Sequence, residues 1–454
     1  MFTNVLPYRL ASNCSIINTE IRNPMIERIK TITKDQVLIG TFIVTVGIFT
    51  ASVFSYLLQF ILGRLLTVAD YGTFNALLAF ASIAGVPAMV VSTSLIKLAS
   101  ELKAKNRFDQ LTQLYWKLSF FALVFAVLIS AFFASFHQPI ADFFNIQNAD
   151  LFYYFGPFLG LTYLLIVPAA YLQGLLRFKA YALYNVLGGL FRFVFPVILV
   201  IVGLGLPGVF MGIAMSVVLM YALSTLLTSR NFIDYNKESL QVFYKKIVMF
   251  GLPVLLVNLG MILMNNMDII LVKKYFDELS AGYYAGTVTV SKVLLFGAGT
   301  VVVVMFPQIS EAYSKGEDYT GKLKKFLALQ LLLVVGGVVV FTLLPGLIAG
   351  VMFGEKFLPS VPYIPLFSLF VGVYVLINFM VMFLLAINKT KVALLQIPAV
   401  IAQYILIYYF HDSLTDVIKI NLFVAVFLLV TILLYYVKHA GFHNRSRVQT
   451  RENY

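Results

Sequence analysis

The sequence predicts an all-α polytopic membrane protein of about twelve spans, built as two pseudo-symmetric bundles of six. Composition is the first observation. Of 454 residues, 61% are hydrophobic and only 12% are charged, against roughly 25% charged in a soluble domain. Spacing is the second. Apolar runs recur at the length of about 20 residues that a helix needs to cross hydrocarbon, and the alternation of a β-barrel is absent. The third is internal repetition. Leu62-Gly63-Arg64 answers Leu271-Val272-Lys273, and Tyr71-Gly72 answers Ala281-Gly282. Gly72 precedes Ser100-Glu101 by 28 residues, as Gly282 precedes Ser310-Glu311.

In chain order, residues 1–24 are polar and lack the apolar core of a signal peptide. They read as a dispensable tail, with Met25 as the natural start. Residues 25–35 form a basic amphipathic lead-in. Spans are predicted at about 37–63, 71–96, 114–136, 151–174, 181–203 and 207–228, giving an N-terminal bundle over 25–229. Residues 230–246, with Arg230, Lys237, Lys245 and Lys246, form a linker. Spans at about 247–272, 282–308, 325–350, 360–386, 392–411 and 416–437 give a second bundle over 247–437, before a basic tail at 438–454.

The formal net charge of +13 is topological rather than a sign of nucleic-acid binding. Of 33 Lys and Arg residues, 26 lie at the termini and in the loops after even-numbered spans. Five (Arg64, Lys273, Lys274, Lys356 and Lys419) lie on the opposite side, and two (Arg192 and Lys292) lie inside spans. The positive-inside rule then puts both termini in the cytoplasm. Because each half holds an even number of spans, the halves are parallel repeats about an axis normal to the membrane, an architecture for alternating access. The Gly174-Leu-Leu-Arg177-Phe-Lys179 turn aligns with Ala386-Ile-Asn-Lys389-Thr-Lys391 in the same sense.

Motifs of soluble enzymes do not survive their context. Gly203-Leu-Gly205-Leu-Pro-Gly208 fits G-x-G-x-x-G but joins two spans, so it is a turn. The stretch from Gly316 to Leu323 has Leu323 where a phosphate-binding loop needs Ser or Thr. The four histidines and single cysteine have no metal-ligand spacing, and His137 and His411 read as solvated loop residues. Outer-loop acids are dispersed, so no catalytic carboxylate pair is evident. No cofactor is expected.

Ionisable residues inside spans are functional candidates because burying them in hydrocarbon is costly. Arg192 and Lys292, one from each half, lie roughly 15 Å deep at 1.5 Å per residue. Two cations facing one cavity suit a diphosphate. The structural alternative pairs Lys292 with Asp268 or sets either cation on backbone carbonyls. Asp268 is a candidate for binding a coupling proton or Na⁺, or for a structural ion pair. Arg64 is a third candidate for substrate contact, at the outer rim. Its ordinary reading, shared with its repeat partner Lys273, is a snorkelling anchor.

Leu62–Phe74, Gln173–Lys179, Asp268–Lys274 and Gly282–Ala285 carry a family likeness. Over nearly the whole chain from Met25, the sequence resembles the polysaccharide flippase family of the multidrug/oligosaccharidyl-lipid/polysaccharide exporter superfamily. The resemblance implies a V-shaped, MATE-like pair of bundles in a bacterial or archaeal cytoplasmic membrane. It also implies transfer of an undecaprenyl-diphosphate-linked oligosaccharide to the outer leaflet, alongside glycosyltransferases or a polymerase of the same pathway. Related drug exporters often carry an acid in the first span, where this chain has Gln59. The alternatives are a cation-coupled multidrug exporter and a polyprenyl-linked glycan polymerase or ligase.

Overall fold

A computed structural model describes residues 24–229 and 241–438. Residues 1–23 of the tail read at 1–24, 230–240 of the linker read at 230–246 and 439–454 of the tail read at 438–454 lie outside those residues. The described chain is helical, with no strand.

In the first half, α1 (Pro24–Leu65) is followed by α2 (Val68–Ala84), α3 (Val86–Ala104), α4 (Phe108–Ser135) and short α5 (His137–Phe143). Then come α6 (Phe152–Thr162), α7 (Ile166–Gly174), α8 (Phe178–Leu199) and α9 (Gly205–Ser229). The second half has α10 (Gln241–Tyr275), α11 (Glu278–Lys315), α12 (Thr320–Leu343), short α13 (Pro345–Phe353), α14 (Ile364–Ala386), α15 (Gln396–Tyr409) and α16 (Leu414–Tyr436). Nine stretches among the described residues are long and apolar enough to cross a membrane, or ten with α2 and α3 taken as one bent span. Phe178–Leu226, 49 residues long, counts once in that total. It turns back on itself at Gly203 (φ 100°) and Gly205 (φ 52°), so that a Cβ on Gly212 of α9 would meet the Pro196 backbone of α8.

Three features depart from uninterrupted spans. The second predicted span, 71–96, is broken, and α2 and α3 meet at 44°. The cause is Gly85-Val86-Pro87: proline has no N–H to donate and its ring crowds the carbonyl four residues back. The fourth tightens to a 3-10 turn at 163–165. The connections after α4 and α12 carry the short helices α5 and α13. By the repeat these two correspond, and each ends at a residue of positive φ, Asn145 (49°) and Gly354 (81°).

Turns on the other face follow one construction. α3, α7, α11 and α14 each end at a left-handed residue: Asn106, Leu176, Gly316 and Asn388. Three of them pass directly to a basic residue (Arg107, Arg177, Lys389) that opens the next helical segment. Outside glycine this conformation costs about 1–2 kcal/mol. It satisfies the last carbonyls of the preceding helix, as in the Leu102 oxygen accepting from the Arg107 N–H.

The halves meet along α2, α10 and α11. A Cβ on Gly72 would come within 2.7 Å of the Gly282 backbone nitrogen. These glycines are partners in the sequence repeat, so the pseudo-two-fold axis passes where they touch. Buried aromatic rings fill in around them, with Tyr71 5.3 Å from Phe353 and 5.4 Å from Phe357.

Candidate functional site

Small residues set the position of Arg192. A Cβ on Gly189 would meet Ala51 at 2.8 Å, and one on Gly47 would meet Ala182 at 2.9 Å, so α1 and α8 touch backbone to backbone. Close approach through small residues is how membrane helices pack without a hydrophobic driving force. Arg192 lies three residues past Gly189 and four past Gly188, so it shares their inward face. It is half-buried and makes no hydrogen bond or ion pair with any described residue. From Phe178 it stands about 21 Å up the helix.

Lys292 lies the same number of residues into α11, about 21 Å from Glu278. It too is half-buried, but it has partners. Its Nζ donates to the Asn265 carbonyl at 3.1 Å and to Asn266 Oδ1 at 3.4 Å. The sequence left open an ion pair with Asp268. No such pair forms within 4.0 Å among the described residues, and the alternative of a backbone carbonyl is the one realised.

Asp268 is almost fully buried, 1% exposed. Its Oδ2 accepts from the Tyr284 hydroxyl at 2.6 Å and from Asn421 Nδ2 at 3.0 Å. Asn421 Oδ1 accepts in turn from Gln403 Nε2 at 2.8 Å, which also reaches the Met264 carbonyl at 3.2 Å. One network thus ties α10, α11, α15 and α16 together. The other carboxylate oxygen, Oδ1, has no partner, and neither has Gln403 Oε1. A buried carboxylate with one satisfied and one open oxygen can take a proton or a small cation at the open position.

Arg64 is at a different level, at the rim where α1 ends. Its guanidinium donates to the Val351 and Met352 carbonyls in the last turn of α13. Lys356 reaches back to the Arg64 carbonyl at 2.9 Å and to that of Leu66. Lys273, the repeat partner of Arg64, is not a snorkelling anchor. It is 1% exposed and donates to the Asn145 carbonyl just past α5 at 3.1 Å, with Glu278 at 3.8 Å. Asn145 Nδ2 answers onto the Phe276 carbonyl at 3.4 Å. Each half therefore sends the cation ending its first span into carbonyls at the end of the other half's short helix. Orphan carbonyls and the negative end of a helix dipole favour that contact. Just inside this latch, the Tyr71 hydroxyl lies 3.0 Å from Gln59 Oε1 and 3.1 Å from Thr289 Oγ1. Tyr56 donates to the Thr289 carbonyl at 3.1 Å.

Arg64 stands about 20 Å along the bundle axis from Lys292, so the candidates divide into a mid-depth set and a rim set. Sequence reasoning missed Tyr284, Gln403 and Asn421. The available signal was a side-chain amide inside each of the last two spans. His411 is not merely solvated either: its ring stacks on Tyr275 at 4.3 Å.

Helical halves related by repeat, with buried ionisable groups between apolar helices, define a multi-pass membrane fold. One solved likeness is an inward-facing multidrug resistance MATE family transporter of the MOP superfamily: TM-score 0.68, 12% identity, covering 89% of this chain and 96% of the other. The lipid II flippase MurJ in an inward closed conformation gives 0.67 at 14%, covering 87% of each chain. A MOP superfamily transporter from Pyrococcus furiosus, described as having a binding pocket of reverse polarity, gives 0.58 at 14%, covering 90% and 95%. At these identities the likeness is one of fold. No curated protein matches significantly by sequence. Residues 61–362, two thirds of the chain, match the family described as polysaccharide biosynthesis protein, and the chain belongs to that family.

Proposed function

We propose that this protein is a flippase that carries an undecaprenyl-diphosphate-linked oligosaccharide from the cytoplasmic to the outer leaflet. On this reading it makes twelve crossings, with both termini cytoplasmic, in a bacterial or archaeal cytoplasmic membrane. Arg192 carries the reading. A guanidinium at mid-depth costs about 3 kcal/mol to insert, and among the described residues no hydrogen bond or ion pair offsets that cost. An anionic diphosphate crossing hydrocarbon carries the complementary cost, so each charge relieves the other. Lys292, held by one carbonyl and one amide, keeps a third donor for the same ligand. Family membership supplies the link to a glycan.

Asp268 is the proposed coupling group, taking H⁺ or Na⁺ at its open oxygen, which binds no substrate anion. Arg64 acts at the rim, where it secures the closed contact between halves and meets substrate only as the rim opens. Glycosyltransferases or a polymerase of the same pathway are the proposed partners.

The alternative, a cation-coupled multidrug exporter, draws on the MATE likeness and on Asp268. Two mid-depth cations disfavour a cationic drug. The test uses cells that depend on this transporter for a surface glycan. Arg192→Ala should abolish export at normal membrane abundance, and Arg192→Lys should retain part of it. Wild-type export by both Arg192→Ala and Lys292→Ala would refute the cationic-site mechanism.

A further inference from the structure

Neutral polar groups and aromatic rings from both halves meet around Lys292, and the mechanism above uses none of them. Thr289, Lys292 and Phe296 are spaced i, i+3 and i+7 on α11, so they share one face. Leu294, Ala298 and Val301 are buried on the opposite face, toward α12 and α14, whose Gly337 and Gly372 lie against Leu294. Lys292 turns its ammonium to the α10 side, onto the Asn265 carbonyl. The other side belongs to Tyr56 of α1, in the first half. Its ring stands edge-on to Phe296 at 6.0 Å and its hydroxyl donates to the Thr289 carbonyl. One side chain thus bridges positions about 10 Å apart on α11, passing the level of Lys292.

Gln59 lies three residues past Tyr56 and shares its face of α1. By the sequence repeat it answers Asp268, and the contact repeats too. The Tyr71 hydroxyl lies 3.0 Å from Gln59 Oε1, as the Tyr284 hydroxyl lies 2.6 Å from Asp268 Oδ2. The chemistry differs, because the amide carries no charge and its nitrogen holds two donors. Gln59 is half-buried, and Nε2 meets no acceptor among the described residues. Such a group within a span is costly until something accepts from it. Nearby there is room for a ligand. Phe296 is 57% exposed, and a Cβ on Gly299, one turn further, would meet nothing within 4 Å.

An open amide donor beside exposed aromatic rings and next to a cation describes a ligand with three parts. The anion goes to the ammonium, as proposed above. Hydroxyl and carbonyl oxygens go to the amide. Weakly positive C–H groups pack on the negative faces of the rings. A pyranose supplies the last two together, with hydroxyls around its edge and C–H bonds on its faces. An apolar cation would cover Gln59 and leave its donors unpaired, the costly case for a buried polar group.

We propose that Tyr56, Gln59 and Phe296 form a saccharide subsite for the sugars attached to the diphosphate, on the α1 side of Lys292. This rests on the flippase reading and adds the part of the site that recognises the glycan.

The test measures binding to the full-length protein in phosphatidylglycerol nanodiscs. Two probes are compared: undecaprenyl diphosphate, and the lipid-linked oligosaccharide extracted from cells deleted for this transporter. The wild type should hold the oligosaccharide lipid about 25-fold tighter, from one hydrogen bond and one aromatic contact. Gln59→Met and Phe296→Leu, both at partly exposed positions, should each cut that preference about fivefold and leave undecaprenyl diphosphate binding unchanged. Arg192→Ala should weaken both probes by the same factor. An unchanged preference in either variant, or a loss of both probes together, marks a structural role and overturns the proposal. A neutral diglucosyl diacylglycerol should not displace the oligosaccharide lipid; displacement would make this a general glycolipid site and overturn the assignment. If the wild type binds both probes equally while Arg192→Ala loses them, the subsite is wrong and the diphosphate site stands. If the wild type binds neither probe, the flippase reading itself falls.

Discussion

Side chains that ionise inside hydrocarbon carry most of the functional information in this chain. Arg192, Lys292 and Asp268 were legible in the sequence because each stands alone in an apolar span. Their partners were not, because Asp268 meets Tyr284 across 16 residues and Asn421 across 153, and no local period encodes that meeting. Tyr284→Phe should cost about 1–3 kcal/mol, because it takes one of two donors from a buried carboxylate. Asn421→Leu should cost more, because it strips a donor from Asp268 and an acceptor from Gln403 at once. Thermal unfolding in detergent checks both, and equal or absent shifts would mean the network does not hold the half together. Asp268→Asn tests coupling instead. If the open oxygen takes the driving ion, this variant should fold normally and lose the dependence of transport on the ion gradient.

At the level of helices, lengths were more legible than shapes. Pro87 was readable as a breaker, yet a hydropathy run passes over it, so span 71–96 looked continuous. Short α5 and α13 were invisible for a similar reason: seven and nine residues at a span end resemble loop. They matter because the rim latch is built on them. Lys273 and Lys356 each hold carbonyls of the opposite half, and each contact is worth about 1–2 kcal/mol as a charge-assisted bond. Removing one should therefore shift the balance between closed and open rim by roughly 5- to 30-fold toward open. A cysteine introduced at Thr289, buried under the latch, reports this. An impermeant maleimide should leave it unlabelled with the latch intact and label it in Lys273→Ala or Lys356→Ala. Unchanged protection in both would show that packing at Gly72 and Gly282 alone keeps the rim shut.

For the whole molecule, the repeat was the most legible feature, because it is written twice in sequence and once in contact. Gly72 and Gly282 align over 210 residues and then touch. A parallel repeat requires each half to cross an even number of times, which returns the C-terminus to the side of the N-terminus. On the proposed topology, the charge bias of 26 cations to five puts that side in the cytoplasm. The two arguments are independent and can fail separately. A phosphatase reporter that is active only outside the cell should be silent when fused after Tyr436 and active when inserted at the Gly203–Gly205 turn. Activity in the opposite pattern would invert the orientation and leave the repeat intact. Activity at both sites would mean an even number of crossings between them instead of the seven expected, so the second half could not be a parallel copy of the first.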